Sequence, residues 1–109
     1  DLTADQKEEY YFKLGYAHFR RNNSKKARDA FYEIINIESQ YQAPALYYYS
    51  HIADTEKSYQ TALEGFTRLK DDPSFKDVVP YYIAQIYYLQ GKYGAIPFIG
   101  DDSFLFEED

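Results

Sequence analysis

The sequence predicts an all-α fold of antiparallel helix hairpins stacked as repeats, about two and a half of them. Three observations carry this. Apolar residues recur three and four apart within segments that polar or Gly- and Pro-containing stretches interrupt. Ala27 and Ala62 lie 35 residues apart, as do Phe31 and Phe66, so two independent anchors keep one register. Small residues, Gly15 in one segment and Ala27 in the next, stand where two helices need short side chains to approach closely.

The elements follow in order. Thr3 with Gln6 three residues on has the form of a capping box, so the first helix is predicted to start near Thr3. Asp5, Glu8 and Glu9 suit the positive end of its dipole. Its stripe is Tyr11, Leu14, Gly15, His18 and Phe19. Tyr10, Phe12 and Tyr16 lie off that stripe, so the helix is expected to be covered on two sides. Residues 21–24 read as a turn, with Ser24 able to cap the second helix. Ala27, Ala30, Phe31, Ile34 and Ile35 form the second stripe, predicted to end near residues 37–39 before a linker at 40–43.

Pro44 opens a third helix, where a missing amide hydrogen costs little. Leu46, Tyr49, Ser50 and Ala53 repeat the first stripe with Ser50 in the place of Gly15, and Tyr47 and Tyr48 lie beside it. Residues 54–57 close this helix. Ser58 starts a fourth, with Tyr59, Ala62, Leu63, Phe66 and Leu69 facing inward. Residues 70–74 form the next break, with Asp72 and Ser74 as caps. Pro80 sits in the first turn of a fifth helix with the stripe Tyr82, Ile83, Ala84, Ile86, Tyr87 and Leu89. Gly91 is expected in the left-handed conformation that ends it. Then Gly94, Pro97 and Gly100 break the pattern, leaving at most a short helix. Residues 101–109 are acidic around Phe104, Leu105 and Phe106, and read as a loose tail or an apolar plug over the end.

Composition narrows the function classes. Hydrophobic residues make up 45% and charged residues 28%, which excludes disorder by composition. The apolar share rests on 14 Tyr and 8 Phe with no Met, Trp or Cys. A tyrosine can bury its ring and keep its hydroxyl wet or bonded, so such a chain is amphipathic throughout. A net charge of −6 argues against a nucleic-acid partner. The basic group Arg20, Arg21, Lys25, Lys26 and Arg28 reads as a solvated turn between helices, with an acidic-ligand patch as the other reading. No apolar run approaches the roughly 20 residues that span a bilayer. The absence of Cys excludes a disulfide framework and a thiolate metal site; it fits any compartment, with a very slight lean toward an extracytoplasmic one such as a bacterial cell envelope or periplasm, so the sequence leaves the localisation unknown.

Over roughly residues 5–93 the chain resembles the tetratricopeptide repeat family. Tyr11, Leu14, Gly15, His18, Ala27 and Phe31 stand where that family favours an aromatic, Leu, Gly, Tyr, Ala and an aromatic. Leu46, Tyr49, Ser50, Ala53, Ala62 and Phe66 take the same places in a second copy. Pro80, Ile83, Ala84 and Tyr87, followed by Gly91, Lys92 and Tyr93, begin a third whose second half is lost. The resemblance implies a right-handed α-solenoid in one domain, 1–109. It is divided into repeat one at 8–42, repeat two at 43–76, an incomplete repeat three at 77–99 and an acidic tail at 100–109. An array needs about three repeats and polar end caps. The chain, which begins at Asp1, is therefore expected to be a fragment of a larger bacterial protein, and self-association through its C-terminal end is expected.

The resemblance also implies function: members scaffold protein binding on the concave face of their first helices. Those positions here are Phe12, Lys13, Tyr16, Phe19 and Arg20, then Tyr47, Tyr48, His51 and Thr55 with Asp54 beside them, then Tyr81, Tyr82, Gln85 and Tyr88. Members that grip a peptide carboxylate place Lys, Asn and Arg where this chain has Phe12, Tyr16, Tyr48 and Tyr82, which disfavours a chaperone-tail receptor. Tyr-lined grooves suit extended or Pro-containing peptides. The expected function is a non-catalytic interaction module for a peptide or partner protein. The alternative is a structural or self-assembly segment with no groove ligand, its rings packing only against neighbouring helices.

Catalysis finds little support. His18 and His51 are the only histidines, and Ser50 adjoins His51 on one helix where it cannot face it. Two histidines fall short of a metal site, and the acidic Glu107, Glu108 and Asp109 read as solvated tail. The stretch from Gly91 to Gly100 lacks the Lys-Ser/Thr ending of a phosphate loop, and no cofactor is expected.

Overall fold

A computed structural model of the chain describes residues 3–96. The expectations for Pro97, Gly100 and the 100–109 tail lie outside the described residues. Within them are five α-helices and no strand: α1 (Ala4–Arg20), α2 (Ser24–Tyr32), α3 (Gln42–Thr55), α4 (Tyr59–Arg68) and α5 (Val79–Leu89), followed by a 3₁₀ turn at Tyr93–Ala95. No helix among them is long and apolar enough to cross a membrane.

Packing follows chain order. α1 lies against α2 and α3 against α4, each pair joined by a tight turn. α2 also packs on α3, α4 on α5, and α1 touches α3. The core runs through these contacts: Ala27, Phe31, Ile34, Leu46, Ile52, Ala62, Phe66, Val79 and Ile86 are all buried.

Local chemistry sets the helix ends. The capping box at α1 is complete, with Gln6 N–H donating to Thr3 Oγ1 and Thr3 N–H donating to Gln6 Oε1. The helices α1, α3 and α5 all end alike. Asn22 (φ 63°), Lys57 (φ 63°) and Gly91 (φ 73°) take the left-handed conformation. The next amide in each case, of Asn23, Ser58 and Lys92, donates five residues back to His18, Ala53 and Tyr87. This is the Schellman arrangement. It recurs at spacings of 35 and 34 residues. Only the third instance uses glycine. Asn tolerates the conformation, whereas Lys57 holds it at a cost of roughly 1–2 kcal/mol.

Three sequence expectations are corrected. Ser24 does not cap α2; it is the first helical residue, and Asn23 at the cap position makes no side-chain bond. α2 ends at Tyr32, not near 37–39. Beyond it the chain tightens into three-residue turns, Ile34 to Phe31 and Ile37 to Ile34. The Ile35 carbonyl accepts from Gln42 Nε2 at 3.1 Å and Arg68 Nη2 at 2.8 Å, which ties the end of the first hairpin to the second. Leu89 was assigned to the buried stripe but is 64% exposed. The described chain places no further helix beyond α5 to cover it.

Gly15 also has a sharper role. A Cβ there would stand 2.7 Å from the Phe31 ring, so the close approach it allows is to that ring.

Candidate ligand-binding face

The first helix of each pair contributes to one ring network. In α1 the Phe12 ring lies 6.4 Å from Tyr16, and both approach Tyr48 of α3, at 6.4 and 5.5 Å. Phe19 meets the same Tyr48 ring at 5.0 Å. Tyr48 stacks on buried Phe31 of α2 at 5.7 Å and 15°. The pattern then recurs one hairpin later. Tyr82 of α5 stacks on buried Phe66 of α4 at 5.2 Å and 13°, and it meets Tyr47 at 6.2 Å and His51 at 4.5 Å. Phe12 stacks with Tyr41 at 5.4 Å, and its counterpart Tyr47 stacks with Phe75 at 4.6 Å. Phe12, Tyr16, Phe31, Tyr41 and Tyr48 each have their counterpart 34 or 35 residues on, in Tyr47, His51, Phe66, Phe75 and Tyr82, whereas Phe19 has none, Asp54 standing at its place.

Seven of the expected positions, Phe12, Tyr16, Phe19, Tyr47, Tyr48, His51 and Tyr82, are thus brought together. The others sit around them. Lys13 is exposed and paired with Glu9 at 3.1 Å. Arg20 donates from Nη1 to the Tyr16 hydroxyl at 3.2 Å, with its guanidinium 5.8 Å from that ring. Tyr81 and Tyr88 are 39% and 38% exposed, and Gln85 between them is exposed. Tyr88 lies against Tyr93 rather than the network, at 5.5 Å. Thr55 turns back, donating to the His51 carbonyl at 3.0 Å. The sequence reading missed Tyr41 and Phe75 because they lie in linkers, where no helical period marks them. Their spacing of 34 residues is the signal that could have found them.

The register explains why the face of α5 stands apart. Phe12, Tyr16 and Phe19 receive Tyr48 from the following helix, and Tyr47 and His51 receive Tyr82. Tyr81, Gln85 and Tyr88 are the corresponding positions on α5. No further helix of this kind follows among the described residues.

The face is uncharged at its centre. The Tyr47 and Tyr82 hydroxyls lie 3.3 Å apart, and burial followed by that contact pushes the Tyr47 phenol well above its ordinary range. Burial likewise raises Tyr48 and lowers His51. Among the described residues of this face the cations are Lys13 and Arg20, both on α1. Such a surface offers stacking, neutral hydroxyl donors and acceptors, and one imidazole. Among the described residues no group of three or more His, Cys, Asp or Glu could hold a metal ion.

Comparison with protein-family models, with curated proteins and with solved structures gives no match for this chain.

Proposed function

We propose that the protein is a right-handed α-solenoid of the tetratricopeptide kind. In this reading it is a non-catalytic module that binds an extended peptide or partner protein on the aromatic face of α1, α3 and α5. The observation that carries this reading is the recurrence of one ring network at two successive hairpins, together with three helix ends of one geometry at the same spacing. A repeated surface suits a ligand that is itself extended. Its half-exposed phenols can stack on apolar or prolyl groups and bond to peptide amides. Lys13 and Arg20 would set the polarity at the α1 edge.

The test is a peptide-display selection with the full chain, followed by amide and aromatic shift mapping of the best binder. Shifts should concentrate on Phe12, Tyr16, Tyr47, His51 and Tyr82, and Arg20→Glu with Tyr88→Ala should weaken binding roughly tenfold or more, as loss of two contacts at an interface does. Mapping onto Tyr59, Gln60 and Glu64 of α4 instead would overturn the reading. These variants are preferred to changes at Tyr48 and Tyr82, whose rings also cover Phe31 and Phe66.

One observation favours the self-assembly alternative: Val78, Leu89 and Tyr93, near the ends of α5, are 42%, 64% and 63% exposed. If the C-terminal end of α5 pairs with another chain, Leu89→Ser should abolish concentration-dependent dimerisation in sizing chromatography. A monomer at every concentration would remove the alternative.

A further inference from the structure

The two hairpin junctions share their ring contacts but differ in chemistry at one position. At the first junction Tyr48 of α3 meets Tyr16 of α1 at 5.5 Å. At the second, Tyr82 of α5 meets His51 of α3 at 4.5 Å. Residues 16 and 51 are 35 apart and receive the incoming tyrosine in the same way. The first is a phenol. The second is an imidazole, which titrates near neutrality.

The surroundings of His51 make its charge matter. Three rings enclose it edge-on: Tyr47 at 4.6 Å and 84°, Phe66 at 5.5 Å and 90°, and Tyr82 at 4.5 Å and 78°. Thus α3, α4 and α5 each supply one wall. The titratable groups facing it are phenols, Tyr47 from its own helix and Tyr82 from α5, while α4 presents only the Phe66 ring. Asp54 lies three residues further along α3, and burial raises its carboxyl, which weakens it as a counter-ion in acid. Among the described residues no carboxylate pairs with the His51 ring. A proton added there is a half-buried charge with no carboxylate to pair with.

We propose that His51 is a pH-sensitive latch, whose protonation releases α5 from α3 and α4 while the first junction stays closed. The proposal does not depend on what the ring face binds. The first junction is tied by polar bonds that do not involve a histidine. Arg28 pairs with Glu56 at 2.8 Å, and Gln42 and Arg68 both hold the Ile35 carbonyl. At the second, the Tyr47–Tyr82 hydroxyl contact at 3.3 Å is longer than a good O–H···O bond.

The sign follows from linkage. Burial lowers the His51 pKa in the closed form below its ordinary value near 6.5. The closed form therefore favours neutral imidazole. Its stability is full above pH about 6.5, is lost as pH falls toward the lowered value, and levels off below it.

Amide hydrogen exchange on the full chain between pH 7.5 and 5, corrected for intrinsic rates, tests this. The opening constant of α5 amides should rise as pH falls, by at most tenfold per pH unit because one proton is taken up. Amides of α1 and α2 should show no such slope. His51→Gln, neutral throughout, should abolish the α5 slope even if it loosens the junction, and His51→Tyr should abolish it while keeping the junction closed. His18→Gln should leave it intact. The proposal is overturned by an equal slope in α1 and α5, by a slope that survives His51→Gln, or by a His51 imidazole that titrates at or above 6.5 by NMR.

Discussion

Replacing Phe66 with alanine should lower the stability of the protein by about 3–5 kcal/mol, the range for removing a fully buried phenylalanine. The ring has no exposed surface. It is stacked by Tyr82, and it meets His51 and Tyr47 edge-on at 5.5 and 6.5 Å. Its loss would leave a cavity under three rings of two helices, α3 and α5, and remove the floor on which α5 rests. Phe31→Ala should cost about as much, because Phe31 does the same for Tyr48 and Phe12. Against a total stability of about 5–15 kcal/mol, either change can unfold much of the protein. Urea unfolding followed by circular dichroism measures this. Phe66→Leu, which keeps most of the volume, should lose far less. A loss under about 1 kcal/mol for Phe66→Ala would show that the ring is not the shared floor described above.

The second large effect is expected at Gly65. Residues 15 and 50 correspond in register, as do 30 and 65. The first hairpin has Gly15 with Ala30; the second has Ser50 with Gly65. Between these corresponding positions the glycine has moved from the first helix of the hairpin to the second. A Cβ at residue 65 would overlap Ser50 Oγ and stand 3.1 Å from Ser50 Cβ. Ser50 is itself fully buried, and its hydroxyl donates to the Leu46 carbonyl at 2.8 Å, so turning it away breaks that bond. Gly65→Ala should therefore cost about 1–3 kcal/mol, as overpacking does, although alanine is the better helix former. Adding Ser50→Gly recreates the arrangement of the first hairpin. The pair should be coupled by about 0.5–3 kcal/mol in a double-mutant cycle, with the second change partly rescuing the first. Strictly additive losses would mean that the two positions do not share one space.

Much of this was legible in the chain. The five helices, the start at Thr3, the left-handed Gly91 and the 35-residue register all have local causes: a capping side chain, a residue without Cβ, a hydrophobic period. The end of α2 was not legible, because Ile34 and Ile35 continue the apolar pattern while the backbone beneath them changes from four-residue to three-residue bonds. Periodicity records where side chains go, and both are buried either way. The left-handed turns at Asn22 and Lys57 were hidden for the opposite reason. Neither is glycine, and their conformation is imposed by the helix end that each closes.

The candidate face divides in the same way. The residues were visible as aromatics off the helical stripe, but their arrangement was not. Sequence alone determined that α1, α3 and α5 carry rings at matching positions, since that is a matter of spacing. Only the tertiary structure decided which rings meet. Tyr48 and Tyr82 stack on the preceding hairpin's phenylalanine, Tyr41 and Phe75 enter from linkers, and Tyr88 lies against Tyr93 instead. Ring contacts depend on the offset between packed helices, a quantity with no local trace in the chain. The same offset gathers Tyr47, Phe66 and Tyr82 around His51, and with them the environment that makes its protonation consequential.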